Sequence, residues 1–132
     1  MIKKLLFAAS LLLLLASCHN NKNVPNTNID VARAFIRDIL DNDFKSAEPF
    51  LLPGDMNKEY FDLSQKQYNN LSSAELDNYK NSDILVKNID NLNDSTTIIN
   101  YSNTYKKEDG KLRMVRVNGQ WLVDLQYTFK NE

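Results

Sequence analysis

The sequence predicts an α+β domain in which helices come first and an antiparallel sheet of about four strands follows. Two observations predict this order. Apolar residues recur at helical spacing up to about residue 82, whereas apolar and polar residues alternate with a period of two after it. With 42% hydrophobic and 25% charged residues, the chain of 132 residues also has the composition of one globular domain.

Charge and composition exclude several classes of protein. A net charge of -1 and a pI near 5.8 do not provide the basic surface that nucleic-acid binding needs. One cysteine and one histidine exclude zinc fingers and disulfide frameworks. The three glycines lie in predicted turns, so no phosphate-binding loop is expected. We therefore expect no metal and no cofactor.

Residues 1–17 have the layout of an export signal. Lys3 and Lys4 precede an apolar run over 5–16, and a polar stretch at 19–23 ends that run before it reaches the roughly 20 residues of a membrane span. An ordinary secretory signal would explain this much. Residues 18–27 are polar and Asn-rich, and we expect a flexible tether there, followed by the folded domain over 28–132.

The end of the apolar run is similar to the lipobox of bacterial lipoproteins. Its sequence is Leu-Ala-Ser-Cys, ending at Cys18, which is the only cysteine in the chain. The resemblance implies cleavage before Cys18 and acylation of its sulfur, so that the lipid on Cys18 holds the protein on a membrane. His19 follows the cysteine where inner-membrane lipoproteins carry Asp. The predicted location is therefore the bacterial cell envelope, on the outer membrane facing the periplasm.

The helical part is predicted as four helices. Thr27 is the predicted N-cap of the first, and its apolar stripe is Ala32, Phe35, Ile36, Ile39 and Leu40. Asp43 caps a short second helix that ends at the Pro-Gly pair at 53–54. A third helix is predicted over 56–71, and a fourth follows Ser73 as its N-cap.

Four strands are predicted over 84–89, 96–105, 111–117 and 120–129. Asn118-Gly119 favours a type I′ turn between the last two, because both residues tolerate positive φ. That turn pairs Val117 with Gln120 and Arg113 with Asp124. The predicted core face of this hairpin consists of Leu112, Met114, Val123 and Leu125 with Trp121, Tyr127 and Phe129.

The helix VARAFIRDILDNDFKSAEPFL and the hairpin RMVRVNGQWLVDL resemble bacterial lipoprotein domains of unknown function over about residues 28–128. Those domains have the nuclear transport factor 2-like fold, also described as cystatin-like or lumazine-binding-like. The resemblance implies a curved sheet that forms a cone around the first helix, with a pocket inside it. Apolar residues expected to line such a pocket, or to form an ordinary core, are Phe35, Ile39, Tyr101, Trp121 and Tyr127.

Three functions fit this fold. The first, which we favour, is a non-catalytic module that binds a small apolar ligand or an envelope protein. The second is an adaptor that docks or forms a homodimer through the outer sheet face, where Arg113, Val115, Val117, Leu122 and Asp124 are predicted to lie.

The third function is a small isomerase or dehydratase. Its candidate groups are Tyr101, Tyr105 and Tyr127 with Asp38, Asp90 or Asp124. Asp38 lies off the apolar stripe, Asp90 closes a strand and Asp124 is expected beside Arg113, so these carboxylates are predicted to be solvated or paired. We therefore predict no catalytic residues.

Asp94-Ser95-Thr96 resembles the O-glycosylation sequon of some gut bacteria, although a turn explains the same residues.

Overall fold

The computed structural model describes residues 24–130, and within them the chain is an α+β domain with helices first and an open four-stranded antiparallel sheet second. In chain order the elements are α1 (Asn28–Leu40), α2 (Phe44–Ala47), a 3-10 turn (Glu48–Phe50), α3 (Asp55–Asn69), α4 (Ser73–Lys80), β1 (Ile84–Asn93), β2 (Thr96–Asn103), β3 (Gly110–Val117), β4 (Gln120–Asp124) and α5 (Leu125–Lys130). The strands are hydrogen-bonded in the order β1-β2-β3-β4. The predicted export signal and Cys18 lie outside the described residues.

The first helix forms as its stripe predicts. The Thr27 side chain caps it by accepting a hydrogen bond from the Asp30 N–H at 3.1 Å. Four of the five predicted stripe residues are buried, and Ile39 is partly exposed. No helix within residues 24–130 has the length and apolar character needed to cross a membrane.

The caps of the next helices follow local side-chain chemistry. Asp43 caps α2, accepting from the Ser46 N–H at 3.1 Å. The predicted N-cap of α4 is wrong by one residue, because Ser72 caps it and Ser73 is its first residue. Ser72 has the advantage that Glu75, three residues later, completes a capping box by accepting from the Ser72 N–H at 3.0 Å.

The boundaries of β1 and β2 differ from the prediction. β1 continues to Asn93 through the stretch predicted as a turn, since two irregularities in its pairing with β2 accommodate the extra residues. β2 ends at Asn103 and not at 105. The Asn103 side-chain oxygen accepts hydrogen bonds from the N–H groups of Tyr105 and Lys106, and this turns the chain out of the sheet.

The β3–β4 hairpin has the predicted register. Asn118 and Gly119 have φ values of 49° and 79°, and Val117 pairs with Gln120. Arg113 lies opposite Asp124, and their side chains form an ion pair at 3.2 Å. A two-residue turn with positive φ at both positions therefore sets the alignment of the last two strands.

The fourth strand is shorter than predicted, and the segment after it is a helix. β4 ends at Asp124, and Leu125–Lys130 form α5, so the strand does not continue to residue 129 as predicted, and Tyr127 does not extend the core face of the hairpin. The alternating aromatic pattern suggested a strand. A long-range contact favours the helix instead. The buried side-chain oxygen of Asn57 in α3 accepts a hydrogen bond from the Gln126 N–H at 2.8 Å, at the start of α5.

The core lies between α1 and one face of the sheet. Ala47, Met114 and Val123 are completely buried there, and Phe44 and Phe61 pack beside them. The free edge of β4 is covered, since the Leu52 N–H donates to the Val123 carbonyl at 2.8 Å. Near Leu40 a cleft opens between α1 and the sheet.

Candidate functional site

A cleft of about 270 Å³ opens between α1, α3, α4 and the sheet face that packs on α1. Its floor is apolar and is formed by Phe35, Ile36, Leu40, Phe61, Leu112 and Leu125. Its rim is polar and includes Ser64, Asn103, Lys106, Glu108, Asp109 and Thr128. Three tyrosines also line it, and we call them the cleft tyrosines: Tyr68, Tyr79 and Tyr101.

Aromatic rings in contact with one another connect the core to the cleft. Neighbouring ring centroids lie 5.0–6.3 Å apart, with tilted or edge-on geometries that favour aromatic pairs. The row runs through Phe35, Phe61, Phe44, Tyr68, Tyr79 and Tyr105. Each ring is held by its neighbours, so the wall of the cleft is continuous with the core.

Arg37 fixes the position of Tyr79. Its guanidinium donates to three backbone carbonyls at and beyond the end of α4, at 3.3 Å to Tyr79, 3.1 Å to Lys80 and 2.8 Å to Ser82. It also forms an ion pair with Asp41 at 3.0 Å. No residue of α4 is itself buried. The attachment of α4 to α1 therefore depends strongly on this one side chain, which also satisfies carbonyls left open at the helix end.

Gly110 makes room for Tyr101. The two residues are partners across β2 and β3, and the phenol ring lies directly over the glycine. A Cβ atom at position 110 would be 2.8 Å from Tyr101 Cζ and 3.1 Å from its hydroxyl oxygen. Only glycine allows this approach without a shift, and the Tyr101 hydroxyl reaches the cleft because of it.

The cleft tyrosines are neutral hydrogen-bond donors. Burial raises the pKa of Tyr101, and burial followed by the nearby phenols of Tyr79 and Tyr101 raises the pKa of Tyr68. Burial is also the main reason that the pKa of Tyr79 is raised. Within residues 24–130 none of the three hydroxyls forms a hydrogen bond with a protein atom. Each O–H therefore remains available to an acceptor.

Three of the five residues predicted to line a pocket do line this cleft, namely Phe35, Ile39 and Tyr101. Trp121 does not, because its ring packs against the core near Arg116, whose guanidinium lies 6.0 Å from the ring centroid. Tyr127 does not either, because α5 carries it to the opposite sheet face. There it lies near Ile98, with its ring 5.3 Å from the guanidinium of Arg113.

Tyr68 and Tyr79 are two lining residues that the sequence interpretation did not include. In the helix predicted over 56–71, Phe61, Ser64 and Tyr68 have the spacing of one helical face, and all three line the cleft. That shared face was a usable signal. Nothing in the spacing, however, shows that α3 and α4 close over the sheet, since this depends on long-range contacts such as those of Arg37.

The carboxylates considered for catalysis lie away from the cleft. Asp124 is buried on the opposite sheet face in its ion pair with Arg113, and Asp90 is exposed on β1. Asp38 lies off the buried face of α1, where partial burial and the neighbouring Asp43 raise its pKa. Tyr105 touches Tyr79 but does not line the cleft. Among residues 24–130 no three metal-binding side chains come together.

The residues predicted for docking on the outer sheet face form only a thin apolar patch. Leu122 and Asp124 are each 8% exposed, and of the predicted docking residues only Val117 is an exposed large hydrophobic side chain. Ser95 is exposed in the two-residue turn between β1 and β2.

No protein-family model, no curated protein and no solved structure matches the chain.

Proposed function

We propose that this chain is a lipid-anchored lipoprotein of the bacterial envelope whose domain binds a small, largely apolar molecule in the cleft. The observation that supports it is a concave site with an apolar floor, an aromatic wall and a polar rim. Small-molecule sites have this composition, with typical volumes of about 300–1,000 Å³. At about 270 Å³ the cleft suits a ligand at the small end of that range.

The arrangement of the elements supports assignment to the nuclear transport factor 2-like fold. Helices precede the sheet, α1 packs against one sheet face, and the cleft lies between that helix and the sheet. These are the features that the resemblance of the first helix and the last hairpin implies. Because this fold carries many functions, the proposal of ligand binding depends on the cleft and not on the fold.

The lipid anchor is proposed from the sequence around Cys18. A lipobox-like end, a single cysteine and a polar segment after it all fit cleavage before Cys18 and acylation of its sulfur. Two or more acyl chains hold a protein stably, since each buried methylene contributes about 0.8 kcal/mol. With His19 after the cysteine, the proposed site is the periplasmic face of the outer membrane.

Ligand binding is tested by filling the cleft from α3. The Ser64→Trp variant places an indole where Ser64 lines the cleft, and Leu63→Trp places the same group on an exposed position of the same helix. The full chain is reconstituted in nanodiscs, and binding of 2-acetylnaphthalene and 2-isopropenylnaphthalene is measured by equilibrium dialysis against empty nanodiscs. We expect binding by the wild type and by Leu63→Trp and loss of binding in Ser64→Trp. Absence of binding by the wild type, or equal binding by Ser64→Trp, contradicts the proposal.

The anchor is tested separately by metabolic labelling with radioactive palmitate in a bacterial host. Cys18→Ser should abolish the label and move the protein out of the detergent phase. Ser17→Ala is the matched control, because a small residue before the cysteine is kept, and it should be labelled like the wild type. Unchanged labelling of Cys18→Ser would show that Cys18 is not the lipid site.

A further inference from the structure

We infer that the molecule bound in the cleft is an uncharged ring compound that carries a hydrogen-bond acceptor oxygen at the end facing the cleft tyrosines. The inference rests on the proposed function and specifies the class of ligand. It follows from three properties of the cleft, which are the unpartnered hydroxyls, the apolar floor and the balance of charges at the rim.

The hydroxyls indicate an acceptor. The cleft tyrosines come from three different elements, α3, α4 and β2, and line one space. Their hydroxyls form no hydrogen bond with one another or with any other atom of residues 24–130. Among the described residues no buried side-chain nitrogen or oxygen lacks a hydrogen-bond partner, so these hydroxyls are open to water in the cleft. A ligand that displaces this water must offer an acceptor in its place, because a buried donor left unpaired is costly. A ligand oxygen that accepts from these O–H groups would satisfy them.

The floor and the volume indicate a ring. Phe35, Phe61 and Leu112 line the floor with aromatic rings and aliphatic groups, which pack well against a flat apolar body. A dry apolar cavity of about 150 Å³ is enough for one benzene molecule. The cleft, at about 270 Å³, therefore suits one or two rings with a short substituent.

The charges around the cleft disfavour an anion. Arg37 is the cation that acts electrostatically on Tyr68, and its guanidinium is already bound by three carbonyls and by Asp41. Lys106 faces the ring of Tyr105 at 5.2 Å, and Glu108 shares the rim with it. A carboxylate ligand would lose hydration at a rim where one cation, Lys106, stands against the two carboxylates of Glu108 and Asp109, which makes an uncharged acceptor the better fit.

Three probes of nearly equal shape test the inference on the full chain in nanodiscs, with empty nanodiscs as reference. The probes are 2-acetylnaphthalene, with a neutral acceptor, 2-isopropenylnaphthalene, with none, and 2-naphthoate, with a charged one. We expect 2-acetylnaphthalene to bind about 2- to 12-fold more tightly than 2-isopropenylnaphthalene, the range of one neutral hydrogen bond. It should also bind more tightly than 2-naphthoate.

Removing the hydroxyls should remove the preference. Tyr101→Phe reduces the discrimination, and the triple variant with Phe at positions 68, 79 and 101 abolishes it. Tyr105→Phe is the matched control, since Tyr105 touches Tyr79 without lining the cleft, and it should keep the wild-type preference. These changes break no hydrogen bond within the described residues, so the variants are expected to fold.

The outcomes separate the inference from the proposed function. If no probe binds, the proposed function fails, and this inference fails with it. If the two neutral probes bind equally, or if the triple variant keeps the preference, the cleft binds apolar rings but the acceptor class is wrong. If 2-naphthoate binds most tightly, the ligand class is an anion and the inference is overturned.

Discussion

The layer between α1 and the sheet has a closed end and an open end. The closed end, near Asn28 and Thr97, contains fully buried Met114 and Val123. The open end, near Leu40 and Tyr101, contains the cleft. Aliphatic side chains pack α1 against the sheet at the closed end, whereas rings from α3 and α4 line the space at the open end.

Polar groups differ between the two ends in the same way. At the closed end the Thr97 hydroxyl accepts from the Asn28 side-chain N–H at 2.8 Å and donates to the Asn91 side-chain oxygen at 2.9 Å. At the open end the hydroxyls of the cleft tyrosines have no such partner among the described residues. At the closed end the chain itself supplies the hydrogen-bond partners of the hydroxyl, and at the open end a ligand could supply them.

The largest expected effect is a difference in packing between the two ends. Met114→Ala at the closed end should lower the free energy of unfolding by about 3 kcal/mol, because the methionine is completely buried and its removal leaves a cavity. Ile39→Ala at the cleft should cost about 1 kcal/mol, since that side chain is only partly buried. Urea denaturation measures both. Equal costs would mean that the cleft residues act as ordinary core.

The second comparison concerns the hydroxyls. Thr97→Val should cost about 2 kcal/mol, because it removes two hydrogen bonds and leaves the side chains of Asn28 and Asn91 without this partner. Tyr101→Phe should leave stability nearly unchanged, since its hydroxyl has no protein partner among the described residues. Thermal and urea unfolding of the two variants check this. A large loss for Tyr101→Phe would indicate a structural role for that hydroxyl.

The closed end was largely predictable from the sequence because local signals determine it. The apolar stripe of α1 identified the buried face, and Asn118-Gly119 set the pairing of β3 with β4. The helix after β4 was not predictable in this way. It starts where the Asn57 side chain accepts a hydrogen bond from the Gln126 N–H. The two residues are 69 positions apart, so local sequence patterns cannot predict this contact.

The open end was predicted only in part, for the same reason. Phe35, Ile39 and Tyr101 follow from the periodicity of single elements. The contributions of α3 and α4 require knowing how whole elements pack, and α4 is placed by hydrogen bonds from Arg37 on α1. Trp121 and Tyr127 were assigned to the pocket because they are large and apolar, yet packing elsewhere takes them away from it.

A third prediction tests how the open end holds Tyr101. Gly110→Ala should cost about 1 kcal/mol of stability, because the new Cβ would lie 2.8 Å from Tyr101 Cζ and the ring must move toward the cleft. The same variant should show a reduced preference for 2-acetylnaphthalene over 2-isopropenylnaphthalene. In a Tyr101→Leu background Gly110→Ala should cost less stability, because the phenol ring that meets the new Cβ is gone. An equal loss of stability in both backgrounds would show that the cost does not come from contact with Tyr101.

The smallest expected effect is a loss of stability at alkaline pH that comes from the open end. The native pKa of Tyr68 is raised above the ordinary value of 10.0, chiefly by burial. The unfolded chain therefore releases this proton first, so the stability that the neutral phenol contributes is full below about pH 10 and is lost as pH rises through the native pKa. At pH 10.5 the loss is below about 1 kcal/mol, and solvent exposure of the ring reduces it further.

Urea unfolding of the wild type and Tyr68→Phe at pH 8 and pH 10.5 isolates this contribution, because every other titrating group is common to both chains. The wild type should lose more stability than the variant between the two pH values. Since Met114, Val123 and Thr97 at the closed end do not titrate in this range, Met114→Ala should show the wild-type pH dependence. If Tyr68→Phe shows it as well, the phenol is solvated in the folded protein, and the cleft is more open than its lining residues indicate.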